Sequence, residues 1–133
     1  MNKTRSTVAA LTVILMLSGA SALAGETQVL TGSFVWNNEN ITGDLQAEFT
    51  QATEGTWTVA FHFEWEGKPR VFSGTAEGSL TDGLLRGEVQ TENKENTFTF
   101  SGRFENGTFN GTHAAIGRDG KERDTGTLTL APS

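Results

Sequence analysis

The chain predicts an all-β fold, an eight-stranded antiparallel up-and-down meander that closes into a barrel. Three features of the sequence point there. Alternation with period two runs through nearly everything after Gly25, with no helical period beside it. The nine Phe and three Trp keep a single parity within each run. Gly, Asn-Gly and Asp-Gly punctuate the runs where tight turns are needed, and the two prolines stand at 69 and 132. An open sheet folded as a sandwich is the alternative architecture.

The opening residues read as an export signal. Lys3 and Arg5 make a short positive leader, and Val8 to Leu17 is apolar apart from Thr12. Ser18 to Ala24 is built of small residues and Leu23, and Ala22-Leu23-Ala24 fits an A-x-A cleavage site. The apolar run falls well short of the roughly 20 residues that span a bilayer as a helix. The expected domains are therefore a signal peptide over 1–24 and a single barrel over 25–133, with a periplasmic or extracellular destination. The sequence has no Cys, so a core built there relies on apolar burial without disulfides, and a modified-Cys lipid anchor is excluded.

All sixteen acidic residues follow Ala24, against eight basic ones, a formal charge of −8 for that part. Such a surface repels nucleic acid and anionic lipid and favours solubility. Nothing in the sequence specifies an oligomeric state.

The eight expected strands are Gln28–Asn37, Asn40–Gln51, Thr56–Glu66, Pro69–Leu80, Leu84–Glu92, Asn96–Glu105, Thr108–Ala115 and Asp124–Ala131. In the third, Trp57, Val59, Phe61, Phe63 and Trp65 share one face, and Thr58, Ala60, His62, Glu64 and Glu66 the other. The turns supply a register. Asn106-Gly107 as a type I′ loop pairs Phe104 with Phe109 and Phe100 with His113. Asp82-Gly83 in the same role pairs Leu80 with Leu85 and Ala76 with Val89. Gly67-Lys68 as type II′ pairs Phe63 with Phe72 and sets Arg70 opposite Trp65. Asn38-Glu39 pairs Trp36 with Ile41. Thr53-Glu54-Gly55 as a three-residue loop pairs Ala47 with Phe61. Each pairing sets apolar face against apolar face, as register demands. Glycine recurs on the inner face at 32, 43, 74, 78, 87, 102, 111 and 126. It serves there either as a device for sharp coiling or as filler between large side chains.

Chemistry-bearing patterns are sparse. Of the two His, His62 faces outward beside Glu64 without a third metal ligand of convincing placement. No inward carboxylate, nucleophile elbow or phosphate-loop spacing is present, so no catalytic residues, metal site or cofactor are assigned, and an enzyme is the third-ranked reading. The sequons at Asn40, Asn106 and Asn110 matter only in a glycosylating host, and two of them coincide with Asn-Gly turn pairs.

One end of the meander carries looser loops, at Asn37–Asn40, Gly67-Lys68, Asn93–Glu95 and Ile116–Arg123. Barrel mouths and their loops commonly hold ligands. Trp36, Trp65, Arg70, Phe98 and His113 point inward near this end and are the candidate ligand-binding residues. They fit a shallow aromatic pocket with Arg70 and His113 as polar handles. They fit better a filled core with Trp36 and Trp65 as its lid, Arg70 capping Trp65, and His113 hydrogen-bonded inside. A barrel of this size is just wide enough for side chains to fill. The first reading expects a non-enzymatic module for a small, partly apolar ligand. The second expects a structural or protein-interaction barrel with no ligand.

Leu30-Thr31-Gly32-Ser33-Phe34 resembles the first strand of the avidin–streptavidin family and, more distantly, of lipocalins. Those calycin-type families carry Gly-x-Trp there, and both form eight-stranded meander barrels. Here Phe34 stands in place of the Trp. The final strand, Gly126 to Leu130, has no basic residue to pack across it in the lipocalin manner, and none of the polar biotin-binding set is matched. The motif covers about five residues. The architectural likeness covers residues 25–133. The resemblance implies a barrel and names no ligand. The chain is also similar in general character to small exported bacterial β proteins.

Overall fold

A computed structural model describes residues 26–37 and 40–133. The expected signal segment lies outside the described residues. Eight antiparallel strands follow one another around a closed barrel. They are β1 (Thr27–Trp36), β2 (Ile41–Thr53), β3 (Thr56–Trp65), β4 (Lys68–Gly78), β5 (Gly83–Gln90), β6 (Thr97–Glu105), β7 (Thr108–Ile116) and β8 (Glu122–Pro132). The seam between β1 and β8 is paired from Leu30↔Pro132 to Trp36↔Gly126. Closure leaves neither the first nor the last strand as an open edge, and the sandwich is not formed.

The inner face is where the aromatic parity places it. Every Phe and Trp is buried or half-buried, while outward positions such as Asp44, Glu77, Arg86, Glu88 and Arg103 are exposed.

Three of the five turn assignments reproduce the observed register. Phe104 faces Phe109 and Phe100 faces His113 across the Asn106-Gly107 turn. Trp36 faces Ile41. Ala47 faces Phe61, although a register shift between Gln51 and Thr53 leaves Glu54-Gly55 as the tip instead of a three-residue loop.

The other two are displaced by two residues. Between β3 and β4 the turn is Glu66-Gly67, both with positive φ (55° and 76°), which is type I′. Phe61 therefore faces Phe72, Phe63 faces Arg70, and Lys68 faces Trp65. Arg70 is thus not opposite Trp65 as the sequence suggested. Between β4 and β5, Gly78 faces Leu85 and Ala76 faces Gly87, so Asp82-Gly83 is not a two-residue hairpin tip. Ser79 decides this turn: its Oγ accepts the backbone N–H groups of Thr81 and Asp82, each at 3.1 Å. The loop is longer by one pair than its Asp-Gly suggests, and Leu80 tucks into the core at its end. A slip of two preserves facing, so both corrections leave the apolar face inside.

Two inner glycines show why coiling needs them. A methyl group on Gly32 would overlap the Thr129 carbonyl, and one on Gly74 would overlap the Glu88 carbonyl. Adjacent strands approach too closely there for any side chain, which is the sharp coiling expected of a small barrel.

Packing is tightest toward the end that carries the β2–β3, β4–β5 and β6–β7 turns. Phe49, Phe104, Phe109, Leu30, Leu85 and Leu130 are the largest fully buried side chains. Trp57 completes this end, its indole N–H donating to the Gly78 carbonyl at 3.0 Å.

Candidate functional site

Four strand connections meet at the opposite end, and the inward residues before them do not fill the barrel. They enclose a cavity of about 410 Å³ whose lining includes Trp36, Trp65, Arg70, Phe98 and His113. This volume lies within the usual range of small-molecule pockets. The opposite end, by contrast, is packed with buried side chains.

Six rings form a closed circuit around the cavity. Phe34 contacts Phe63 at a centroid distance of 5.3 Å, Phe63 contacts Phe72 at 5.6 Å, and Phe72 contacts Phe98 at 5.4 Å. Phe98 meets Trp36 at 5.8 Å, Trp36 meets Trp65 at 5.7 Å, and Trp65 returns to Phe34 at 6.5 Å. Each strand contributes by parity: Phe34 and Trp36 from β1, Phe63 and Trp65 from β3, Phe72 from β4, Phe98 from β6. Most of these contacts are edge-to-face, the arrangement that the ring quadrupole favours. All six rings belong to the cavity lining. Phe61, Leu45, Val89 and Leu128 lie deeper in the lining.

His113 is a structural part of this wall. Its Nε2–H donates to the Val35 carbonyl at 2.9 Å, and Nδ1 lies 2.6 Å from the Thr125 hydroxyl. A carbonyl can only accept, so Nε2 carries the proton, and the single Thr125 hydroxyl hydrogen is shared between Nδ1 and the His113 carbonyl oxygen. That hydroxyl also lies 3.0 Å from the His113 carbonyl oxygen. Thr125 is the extra residue of a β8 bulge, since Ala114 faces Asp124 while His113 faces Gly126. The bulge turns Thr125 inward, where it is buried. With both nitrogens engaged, the imidazole presents its ring, stacked on Trp36 at 5.9 Å and 18°. Burial lowers its pKa from the ordinary 6.5, against backbone hydrogen bonds that raise it. His113 is the hydrogen-bonded inner histidine of the second sequence reading, and offers no free nitrogen as a handle.

Arg70 stands at the rim, exposed, with no carboxylate within ion-pair distance among the described residues. Glu66 and Asn96 complete the polar rim. Sequence reasoning did not single out Phe34, Phe63, Phe72, Glu66 or Asn96. The three phenylalanines share the parity and the level of the named residues, so a layer-by-layer count of the inner face finds them. Glu66 enters only through the corrected turn.

On the outer wall, His62 pairs with Glu48 across β2–β3 at 3.0 Å, and not with Glu64. Among the described residues no three His, Asp or Glu side chains come together as a metal-ligand set. At the long β7–β8 connection, Asp119 accepts from the Lys121 backbone N–H at 3.0 Å and pairs with Arg123 at 3.1 Å. Those bonds hold its carboxyl below the usual carboxylate pKa. They tie the loop to itself, so the charges of Asp119 and Arg123 are occupied in shaping it.

No protein-family model, curated protein or solved structure matches this chain. The barrel is compatible in architecture with calycin-type barrels.

Proposed function

We propose that this is an exported, non-enzymatic binding module that takes a small, partly apolar ligand in the ring-lined end of its barrel. The observation that carries the reading is the unfilled volume of about 410 Å³ inside the Phe34–Phe63–Phe72–Phe98–Trp36–Trp65 circuit. Exposed aromatic surface costs free energy in water, about 25 cal/mol for each Å². A ligand that covers it recovers that free energy, and the rings are already held in place when it arrives. Export rests on the leader, hydrophobic run and A-x-A site of residues 1–24. The first-strand likeness to avidin–streptavidin barrels agrees with a ligand held in one barrel mouth, and it assigns no chemistry to that ligand.

N-phenyl-1-naphthylamine, an uncharged apolar fluorophore, tests the reading directly. The expected result is a saturable rise in emission on titration into the folded protein, weakened in Trp65→Ala and unchanged in Leu84→Ala on the outer wall. A wild-type protein that gives no saturable response sinks the reading and leaves a structural or protein-interaction barrel.

A further inference from the structure

The polar groups at the mouth are not all paired. Trp57, at the packed end, gives its indole N–H to the Gly78 carbonyl. Trp36 and Trp65 are half-buried in the cavity wall, yet among the described residues neither indole N–H has an acceptor. An indole N–H without a protein acceptor at the mouth is free to donate to a ligand's oxygen. Beside them stands the Arg70 guanidinium, at the rim and without an ion-pair partner among the described residues. His113 supplies no acceptor, because both its nitrogens are engaged. Glu66 is the one carboxylate of the lining and is not within ion-pair distance of Arg70. Thr91, Asn96 and Thr99 add uncharged polar groups to the lining, and Arg70 is its one cation.

From the unpaired Arg70 and the two indole donors we infer that the ligand is a small organic acid, its apolar body among the rings and its ionised oxygen head at Arg70, within reach of the indole donors. The inference rests on the ligand-binding reading above and adds the charge of the ligand to it. A guanidinium presents a planar fork of donors to such a head. The chain's excess of acidic residues makes this local cation the more selective, since an anion gains little elsewhere on the surface.

The test compares two probes with nearly the same body. One is 8-anilinonaphthalene-1-sulfonate, an anion; the other is neutral N-phenyl-1-naphthylamine. Wild-type protein is expected to bind the anion more tightly than the neutral probe, with the advantage shrinking as salt is added. Arg70→Gln is expected to weaken the anion roughly fivefold or more and to leave the neutral probe unchanged. Lys121→Gln, which removes the same charge from the same end, is expected to change neither. Neutral-probe binding with an anion affinity indifferent to Arg70→Gln overturns the acid and keeps the ligand. An equal loss in Lys121→Gln also overturns it, since net charge alone then accounts for the effect. Failure of both probes on folded wild-type protein overturns the reading beneath it.

Discussion

The two ends of the barrel are made from the same alphabet and the same strands, yet one is solid and the other is hollow. At the packed end, aromatic and aliphatic side chains fill the interior, facing large partners as at Phe104↔Phe109 and small ones as at Leu30↔Ala47. Phe104 and Phe109 lie at 5.4 Å with Leu30, Leu85 and Leu130 around them, and Leu80 seals the end from its loop. At the open end, bulky rings occupy neighbouring positions on β1, β3, β4 and β6 at once. Six of them contact one another around the cavity that they line. The difference teaches that aromatic content alone does not decide whether a small barrel is filled.

The largest effect that separates the ends is a large-to-small substitution in each. Phe109→Ala should lower stability by about 3–5 kcal/mol in urea denaturation, because its surroundings cannot collapse onto the space it leaves. Phe72→Ala, half-buried beside existing space, should cost about 1–2 kcal/mol. Equal losses would mean that both ends are packed alike. The indoles sharpen the contrast at the level of one hydrogen bond. Trp57→Phe abandons the Gly78 carbonyl and should cost about 1 kcal/mol beyond any loss of ring area. Trp65→Phe should lose only ring area, since its N–H has no partner among the described residues.

The smallest effect is a pH dependence confined to the open end. The His113 pKa is depressed in the folded state relative to 6.5. The unfolded chain thus binds the proton first, and the contribution of the neutral ring is complete above about pH 6.5 and lost as pH falls toward the folded value. Wild-type stability should decline over that interval more than that of His113→Gln, measured by denaturation at pH 5, 6 and 7.5. Parallel curves for the two proteins would show that the imidazole titrates there as it does unfolded.

The strands, their inward residues and the level of the candidate mouth were legible because alternation and aromatic parity are properties of single strands. Asn106-Gly107 was legible because its chemistry permits one turn. Glu66-Gly67 was not: a non-glycine residue at φ 55° is uncommon, so Gly67 as the first turn residue was the more natural assignment. The β4–β5 connection was hidden for a different reason, since Ser79 captures two backbone N–H groups that the strand pattern does not mention. Arg70 was placed at the right end but beside the wrong ring, a direct result of the first slip. Whether the mouth is hollow depends on rotamers and on the distance between facing walls, and neither leaves a periodic trace. The Thr125 bulge likewise adds one residue to β8 without disturbing its alternation enough to be noticed.

The seam between the outermost strands carries a kinetic consequence. Ser133 reaches back to the Val29 carbonyl, a partner 104 positions earlier. Hairpins along the ribbon can assemble as neighbours, but β1 has no second partner until β8 swings round to meet it. Joining segments so distant is the slow kind of event in folding. Until it happens the ribbon has two sticky margins, and a substitution that delays the meeting would show first as aggregation during refolding, before any change in the finished barrel.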